Sequence, residues 1–201
     1  MIMQESKDIV KEEAGRAGRW FGEIWEVAKV IIISLAIVLP IRYFVAQPFI
    51  VRGASMVPTF QDREYLVIDE FSYYLREPQR GEAIVFRYPR DPGQFFIKRI
   101  IGLPGEKIEI MNGRIKIFNQ KFPEGFTLEE PYLDPPGLLT RPDVHASLGS
   151  NEFFVLGDNR GSSSDSRVWG SLPENLIVGR ALFRAWPIGR SGLVPDFSMS
   201  Y

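Results

Sequence analysis

Three polar segments of this chain carry side chains able to do chemistry, and they lie far apart in sequence. The first, Arg52 to Thr59 (RGASMVPT), holds Ser55 between small residues and Met-Val-Pro. The second, Gln94 to Gly102 (QFFIKRIIG), holds Lys98. The third, Gly157 to Gly170 (GDNRGSSSDSRVWG), gathers serines, aspartates, an asparagine and arginines into one loop. A serine hydroxyl is a poor nucleophile until a neighbouring base takes its proton. The chain has no cysteine and a single histidine, His145. That removes thiol chemistry, disulfides and metal sites built on Cys or several His. No metal and no cofactor is expected.

His145 sits in a proline-rich stretch, far in sequence from all three segments, and is expected not to be catalytic. Lys98 is the candidate base. On an extended strand Phe96, Lys98 and Ile100 share a face. Burial beside two large apolar groups disfavours the ammonium. Bringing a lysine from about 10.4 to about 7.5 takes roughly 4 kcal/mol and leaves a neutral amine near neutral pH. Each segment alone also suits a plainer reading. Ser55 beside Pro58 suits a turn, and position 57 is Val, so the G-x-S-x-G elbow is not met. Lys98 suits a lysine snorkelling from a sheet edge, which its local pattern favours. Asp165 and Arg167 suit a surface ion pair of little energetic value.

The elements around these segments read as one anchored domain. The chain has 201 residues, is 45% hydrophobic and 24% charged, and carries a net charge of −1, so no general attraction to nucleic acid is implied. Residues 1–26 mix charges of both signs. Residues 27–46 (VAKVIIISLAIVLPIRYFVA) then form an apolar run with Lys29 and Arg42 near its ends. Twenty residues of helix rise about 30 Å, one hydrocarbon thickness. This predicts a transmembrane helix over 27–46. It reads as a permanent anchor rather than a removed signal peptide. It starts far from Met1, and the best cleavage site, after Ala46, has bulky Phe44 two positions upstream. Lys11, Arg16, Arg19 and Lys29 against Arg42, Arg52 and Arg63 favour a cytoplasmic N-terminus. Residues 47–201 are then extracytoplasmic.

That part reads as β structure. EYLVIDEF, EAIVFRYP, FFIKRIIG, EFFVLGD and NLIVGRALFRAWP are short runs rich in Val, Ile, Phe and Tyr. In EKIEIMNGRIKIF two alternating strands flank Asn112-Gly113, a type I′ hairpin signal. Residues 119–150, with five prolines, are expected to be a long excursion over the β core.

Together, Ser55-Met56-Val57-Pro58-Thr59, FFIKRIIGLPGE (Phe95 to Glu106) and GDNRGSSSDSR (Gly157 to Arg167) closely resemble the boxes of bacterial type I signal peptidases, also called leader peptidases. The resemblance runs from about residue 25 to 190 and includes the single anchor, the order of the boxes and the closing RAWP. It implies a mainly β fold, an antiparallel β-sheet catalytic domain with a small coil-like β core, preceded by one transmembrane helix. It implies a serine endopeptidase of the plasma membrane that removes signal peptides from exported preproteins without a cofactor. Its partners would be those preproteins, the lipid bilayer and nearby translocation machinery, with no nucleic acid.

Residue by residue, the resemblance implies Ser55 as nucleophile and Lys98 as general base. Ser163 would orient the lysine, and Asp158, Asp165, Arg167 and Arg99 would support the site. The Ser55 backbone N–H would donate to the oxyanion. Some members add a hydroxyl two residues before the nucleophile; here that position is Gly53, as in the shorter members. Phe49, Val51, Met56, Phe60, Phe96 and Ile97 would line shallow substrate pockets, with the substrate added as an extended strand. Two other readings stand beside this one. A self-cleaving repressor-type Ser–Lys protease fits poorly with the anchor and the missing DNA-binding domain. A catalytically idle β module that binds secreted peptides fits poorly with an intact Ser55, Lys98 and Ser163.

Overall fold

The structure, a computed structural model, describes residues 25–38, 47–195 and 197. The chain divides into two compact units, residues 1–44 and 45–201. In the first, residues 25–38 form helix α1. Its aliphatic side chains, Val30 to Ile33, Leu35, Ile37 and Val38, are exposed, and Lys29 pairs with Glu26 at 2.6 Å. Among the described residues no helix is long and apolar enough to cross a membrane. Positions 25–38 rise about 20 Å, and the rest of the expected anchor, 39–46, lies outside the described residues.

The second unit is antiparallel β throughout its described strand pairs. The larger sheet runs β1 (Gln47–Ile50), β2 (Tyr65–Asp69), β11 (Ile177–Trp186), β3 (Ala83–Tyr88), β4 (Asp91–Gly102), β9 (Glu152–Leu156) and β10 (Leu172–Pro173), with β12 (Gly192–Leu193) on β11. The smaller sheet has the order β7 (Phe126–Thr127), β6 (Arg114–Phe118), β5 (Lys107–Met111) and β8 (Val144–Ser147). A short helix, α2 (Ser166–Trp169), follows the 157–165 loop.

Local sequence explains these elements. Strand β3 is a continuous apolar run because both its faces are covered. Ala83 and Val85 enter one core with Val51, Met56, Phe60 and Ile68; Ile84 and Phe86 enter another with Ile100, Phe153 and Trp169. Strands β5 and β6 alternate because only one face is buried. Ile108, Ile110, Ile115 and Ile117 pack inward against Phe154 and Leu156. The turn between them places Asn112 at φ 51° and Gly113 at φ 79°, as a type I′ turn requires.

The 119–150 segment differs from expectation. It is no free excursion: it contributes β7 and β8 to the smaller sheet and sends Leu128, Tyr132, Leu133 and Leu148 into that core. Its prolines hid this, because they break the strands into pieces of two and four residues. The segment is tied to the 157–165 loop by buried Arg160. The guanidinium binds Glu130 (Nη1 to Oε2 3.0 Å), Thr140 Oγ1 and Tyr132 Oη (3.2 Å), and its Nε donates to Gly157 O at 3.0 Å.

Arg160→Leu should therefore strand the Glu130 carboxylate in a buried site. A loss of about 3–5 kcal/mol is expected from such a broken pair. Urea denaturation of the purified protein would show it as a large fall in midpoint, with Arg160→Lys less affected.

Candidate active site

Ser55 lies in the turn that follows β1, and the turn is held from several directions. Val57 N–H donates to Ala54 O at 3.2 Å and Phe60 N–H to Met56 O at 2.8 Å. From across the fold, Asn159 N–H donates to Ser55 O at 3.0 Å, and Asn159 Nδ2 donates to Ala54 O at 3.1 Å. Met56 and Phe60 point the other way, into the core, and are fully buried. Burying these two fixes the exit angle of the Ser55 hydroxyl, which is left half-buried.

Lys98 comes from β4, opposite Ile84 of β3. It is only 4% exposed. Its Nζ donates to Ser55 Oγ at 2.7 Å and to Ile97 O at 2.8 Å, and it lies 5.4 Å from the Phe96 ring centre. Burial pushes the lysine down to about 8 against the upward pull of Asp165 and Asp158. The sequence pattern thus points to the right cause, loss of water, but the charges acting on the amine are carboxylates.

Arg99, the next residue along β4, points to the other face and is 1% exposed. It grips Asp158 with two bonds, Nε to Oδ1 at 2.9 Å and Nη2 to Oδ2 at 2.6 Å, and donates through Nη1 to Gly81 O at 2.6 Å. Asp158 also accepts from Thr59 Oγ1 at 2.6 Å. Asp165 is likewise buried and held in a fork by Arg167 (2.8 and 2.7 Å), and it accepts Gly157 N–H at 3.0 Å. The Asp165–Arg167 pair is therefore no loose surface bridge; its side chains are 0% and 3% exposed.

Two expectations need adjustment. Ser163 is beside the site, but its buried Oγ has no hydrogen-bond partner among the described residues, so the expected bond to Lys98 is not formed. The amine instead uses the nearer carbonyl of Ile97. Met56 and Phe60 do not line the groove, because both are consumed by the core behind it. The groove is a cavity of about 710 Å³ between the β1 segment and the first half of β4, where Phe49 and Phe95 rings approach to 5.4 Å. Phe49, Val51, Phe96 and Ile97 line it, together with Ile50, Arg52, Leu66, Val85 and Gln94. His145 lies on β8, well exposed, beside Glu109 at 3.4 Å. Ser55 N–H has no partner among the described residues, whereas Gly53 N–H is committed to Asp62 Oδ1 at 2.8 Å.

One supporting cluster is absent from the sequence reading. Glu64, 2% exposed, lies 2.9 Å from Arg184 Nε and 2.8 Å from Arg190 Nη1, ion contacts without hydrogen-bond alignment. Both arginines reach on to the Ser55 turn: Arg184 Nη2 donates to Thr59 O, and Arg190 Nη2 donates to Pro58 O at 3.3 Å. The available signal is a charged residue between apolar neighbours, Arg184 in ALFRAW. Its partner, more than a hundred residues earlier, carries no such mark.

Gly157 shows how little slack the site has. A Cβ there would sit 2.2 Å from Ser163 Oγ and 2.5 Å from Ser55 O. Gly157→Ala should push the Ser55 turn away from Lys98. A displacement near 1 Å costs roughly a hundredfold in rate. Steady-state assays should show that loss in kcat while circular dichroism retains the β signal.

Comparison with known proteins places the sequence in a family. The family model described as "Signal peptidase, peptidase S26" matches residues 24–186. The chain is 38% identical over 185 residues to "Probable signal peptidase I-1" of Synechocystis sp., covering 87% of this chain and 90% of that protein. It is 38% identical over 178 residues to "Signal peptidase I" of Leptolyngbya laminosa, covering 84% and 83%. It is 36% identical over 195 residues to "Signal peptidase I" of Bacillus amyloliquefaciens, covering 92% and 96%. With a family match across most of its length and relatives of this closeness, the chain belongs to the type I signal peptidases, serine endopeptidases of the peptidase S26 family.

Proposed function

We propose that this chain is a membrane-anchored endopeptidase that removes signal peptides from exported preproteins with Ser55 as nucleophile and Lys98 as general base. The observation that carries the reading is the 2.7 Å approach of Lys98 Nζ to Ser55 Oγ at a buried amine brought down to about 8. No histidine or carboxylate is needed as base. A neutral amine can accept the hydroxyl proton directly.

The reaction then runs in two halves. Neutral Lys98 takes the Ser55 proton as Oγ attacks the carbonyl carbon of the scissile bond. Negative charge builds on the carbonyl oxygen, and the unpartnered Ser55 N–H is free to donate to it. The Lys98 ammonium passes its proton to the leaving amine, the C–N bond breaks, and the mature protein departs. The signal peptide remains as an ester on Ser55. Lys98, neutral again, takes a proton from water, whose oxygen attacks the ester. Collapse releases the signal peptide as a carboxylic acid and returns the proton to Ser55.

Each supporting residue has a task in this reading. Ser163 Oγ, buried and without a partner among the described residues, would steady the lysine as it changes charge. Arg99, Asp158, Asp165 and Arg167 keep β4, the Ser55 turn and the 157–165 loop in register. The substrate enters as an extended strand in the groove between β1 and β4, its small side chains at positions −3 and −1 against Phe49, Val51, Phe96 and Ile97. Residues 27–46 serve as the transmembrane anchor, with the N-terminus cytoplasmic and residues 47–201 outside. Ser55 follows Ala46 by nine residues, at most about 32 Å, so the site stays near the bilayer.

Ser55→Ala and Lys98→Ala should each lower kcat/KM on a preprotein with alanine at −3 and −1 by roughly a thousandfold or more, with the double variant little worse. Mass analysis of the products reads both the rate and the cut. Lys98→Arg should be as inactive as Lys98→Ala, because a guanidinium does not deprotonate; substantial turnover would overturn the dyad.

The pH dependence follows from the lysine. Its ammonium is inactive as a base, so kcat/KM should rise with pH through about 8 rather than near the usual lysine value. An acid limb unchanged in Ile100→Ser, with the fold intact, would show that water exclusion by this strand neighbour does not set that value.

A further inference from the structure

The groove holds one charged side chain to which the peptidase reading gives no task. Arg52 lies three positions before Ser55, exposed, on the wall that continues β1. Its guanidinium has no hydrogen bond, ion pair or ring contact among the described residues. The nearest acid in sequence is engaged elsewhere: Asp62 accepts Gly53 N–H at 2.8 Å and lies 3.6 Å from Arg63 Nε. Among the described residues no aspartate or glutamate lines the cavity, and the charged lining residues are Arg52 and Lys98. Lys98 must be neutral to act, so Arg52 is the permanent charge of the groove. A cleft lined by one sign of charge between apolar walls focuses its field on whatever enters. A guanidinium is also the fork that matches a carboxylate.

We propose that Arg52 is a specificity-determining residue, favouring substrates with an Asp or Glu side chain within two residues of the scissile bond and disfavouring Lys or Arg there. Three residues of chain span at most about 11 Å between the two backbones, and both residues line the same groove. The apolar wall of Phe49, Val51, Phe96 and Ile97 accounts for small uncharged side chains at −1 and −3. That leaves positions −2, +1 and +2 as the places where a substrate can present charge to Arg52. The proposal rests on the peptidase reading, and it adds a substrate class to it.

The test uses the detergent-solubilised full chain and preprotein-derived peptides with alanine at −1 and −3. Each peptide carries Asp, Asn or Lys at one of positions −2, +1 or +2. The readout is the ratio of kcat/KM for Asp over Lys at each position on one enzyme preparation, so a partly inactive preparation does not affect it. At one position or more the ratio should be about three- to tenfold, the scale of exposed charge pairs, and should shrink in 1 M salt. Arg52→Gln should bring it close to one and Arg52→Glu should invert it. Normal cleavage of the Asn peptides with a flat charge ranking, or a ranking unchanged in Arg52→Gln, overturns this proposal alone. Failure to cleave the Asn peptides, or cleavage that survives Ser55→Ala, overturns the peptidase reading and this proposal with it.

Discussion

The buried fork between Arg99 and Asp158 is the contact on which the site depends. Lys98 and Arg99 are consecutive on a strand, so their side chains must leave on opposite faces. Once Arg99 is locked to Asp158 and to the Gly81 carbonyl, the direction of Lys98 is no longer free. Asp158 also holds Thr59, four residues past Ser55. One carboxylate therefore ties the strand that carries the proposed base to the turn that carries the proposed nucleophile. Both partners are almost wholly buried. Removing one would leave an uncompensated charge in the core, which is far more costly than losing an exposed bridge. Tyr132, from the connection between β7 and β8 of the smaller sheet, stacks on the same guanidinium at 4.1 Å and helps to keep water out.

Burial and the acids of the same ion pairs together set the charge state of Lys98. Two carboxylates, Asp165 and Asp158, lie near enough to favour the ammonium. Each is already matched by a guanidinium, Arg167 and Arg99. Loss of hydration outweighs their pull on the amine. An unmatched aspartate in either place would oppose burial more strongly and keep the lysine protonated.

Outside this centre the fold presses on the Ser55 turn from several sides. Glu64 gathers Arg184 and Arg190 against the carbonyls of Pro58 and Thr59. Asn159 takes the carbonyls of Ala54 and Ser55. Arg160 ties the next turn of the same loop to Glu130 and Thr140 of the smaller sheet's connection. The turn therefore has little freedom, although it lies in a stretch without regular secondary structure. What remains open is the groove between β1 and β4, where an extended chain can lie beside Ser55.

Much of this was legible in the sequence. Alternating or continuous apolar runs located β2 to β6, β9 and β11, because burial on one face or two leaves a direct mark on residue type. Asn112-Gly113 specified its own turn, since both positions need positive φ. The three boxes were enough to pick out Ser55, Lys98 and the 157–167 loop. Tertiary structure decided the rest. Whether Met56 and Phe60 face substrate or core depends on the rotation of a turn that has no periodicity, and packing chose the core. Residues 126–127 and 144–147 became strands because the open edges of β6 and β5 offered partners, which their own proline-broken sequence could not announce. Glu64 found Arg184 and Arg190, and Asp158 found Thr59, across about a hundred residues or more. Residue type determines which groups can ionise, but only the folded chain sets their separation and removes the water between them, and on those two quantities the chemistry proposed for Ser55 and Lys98 turns.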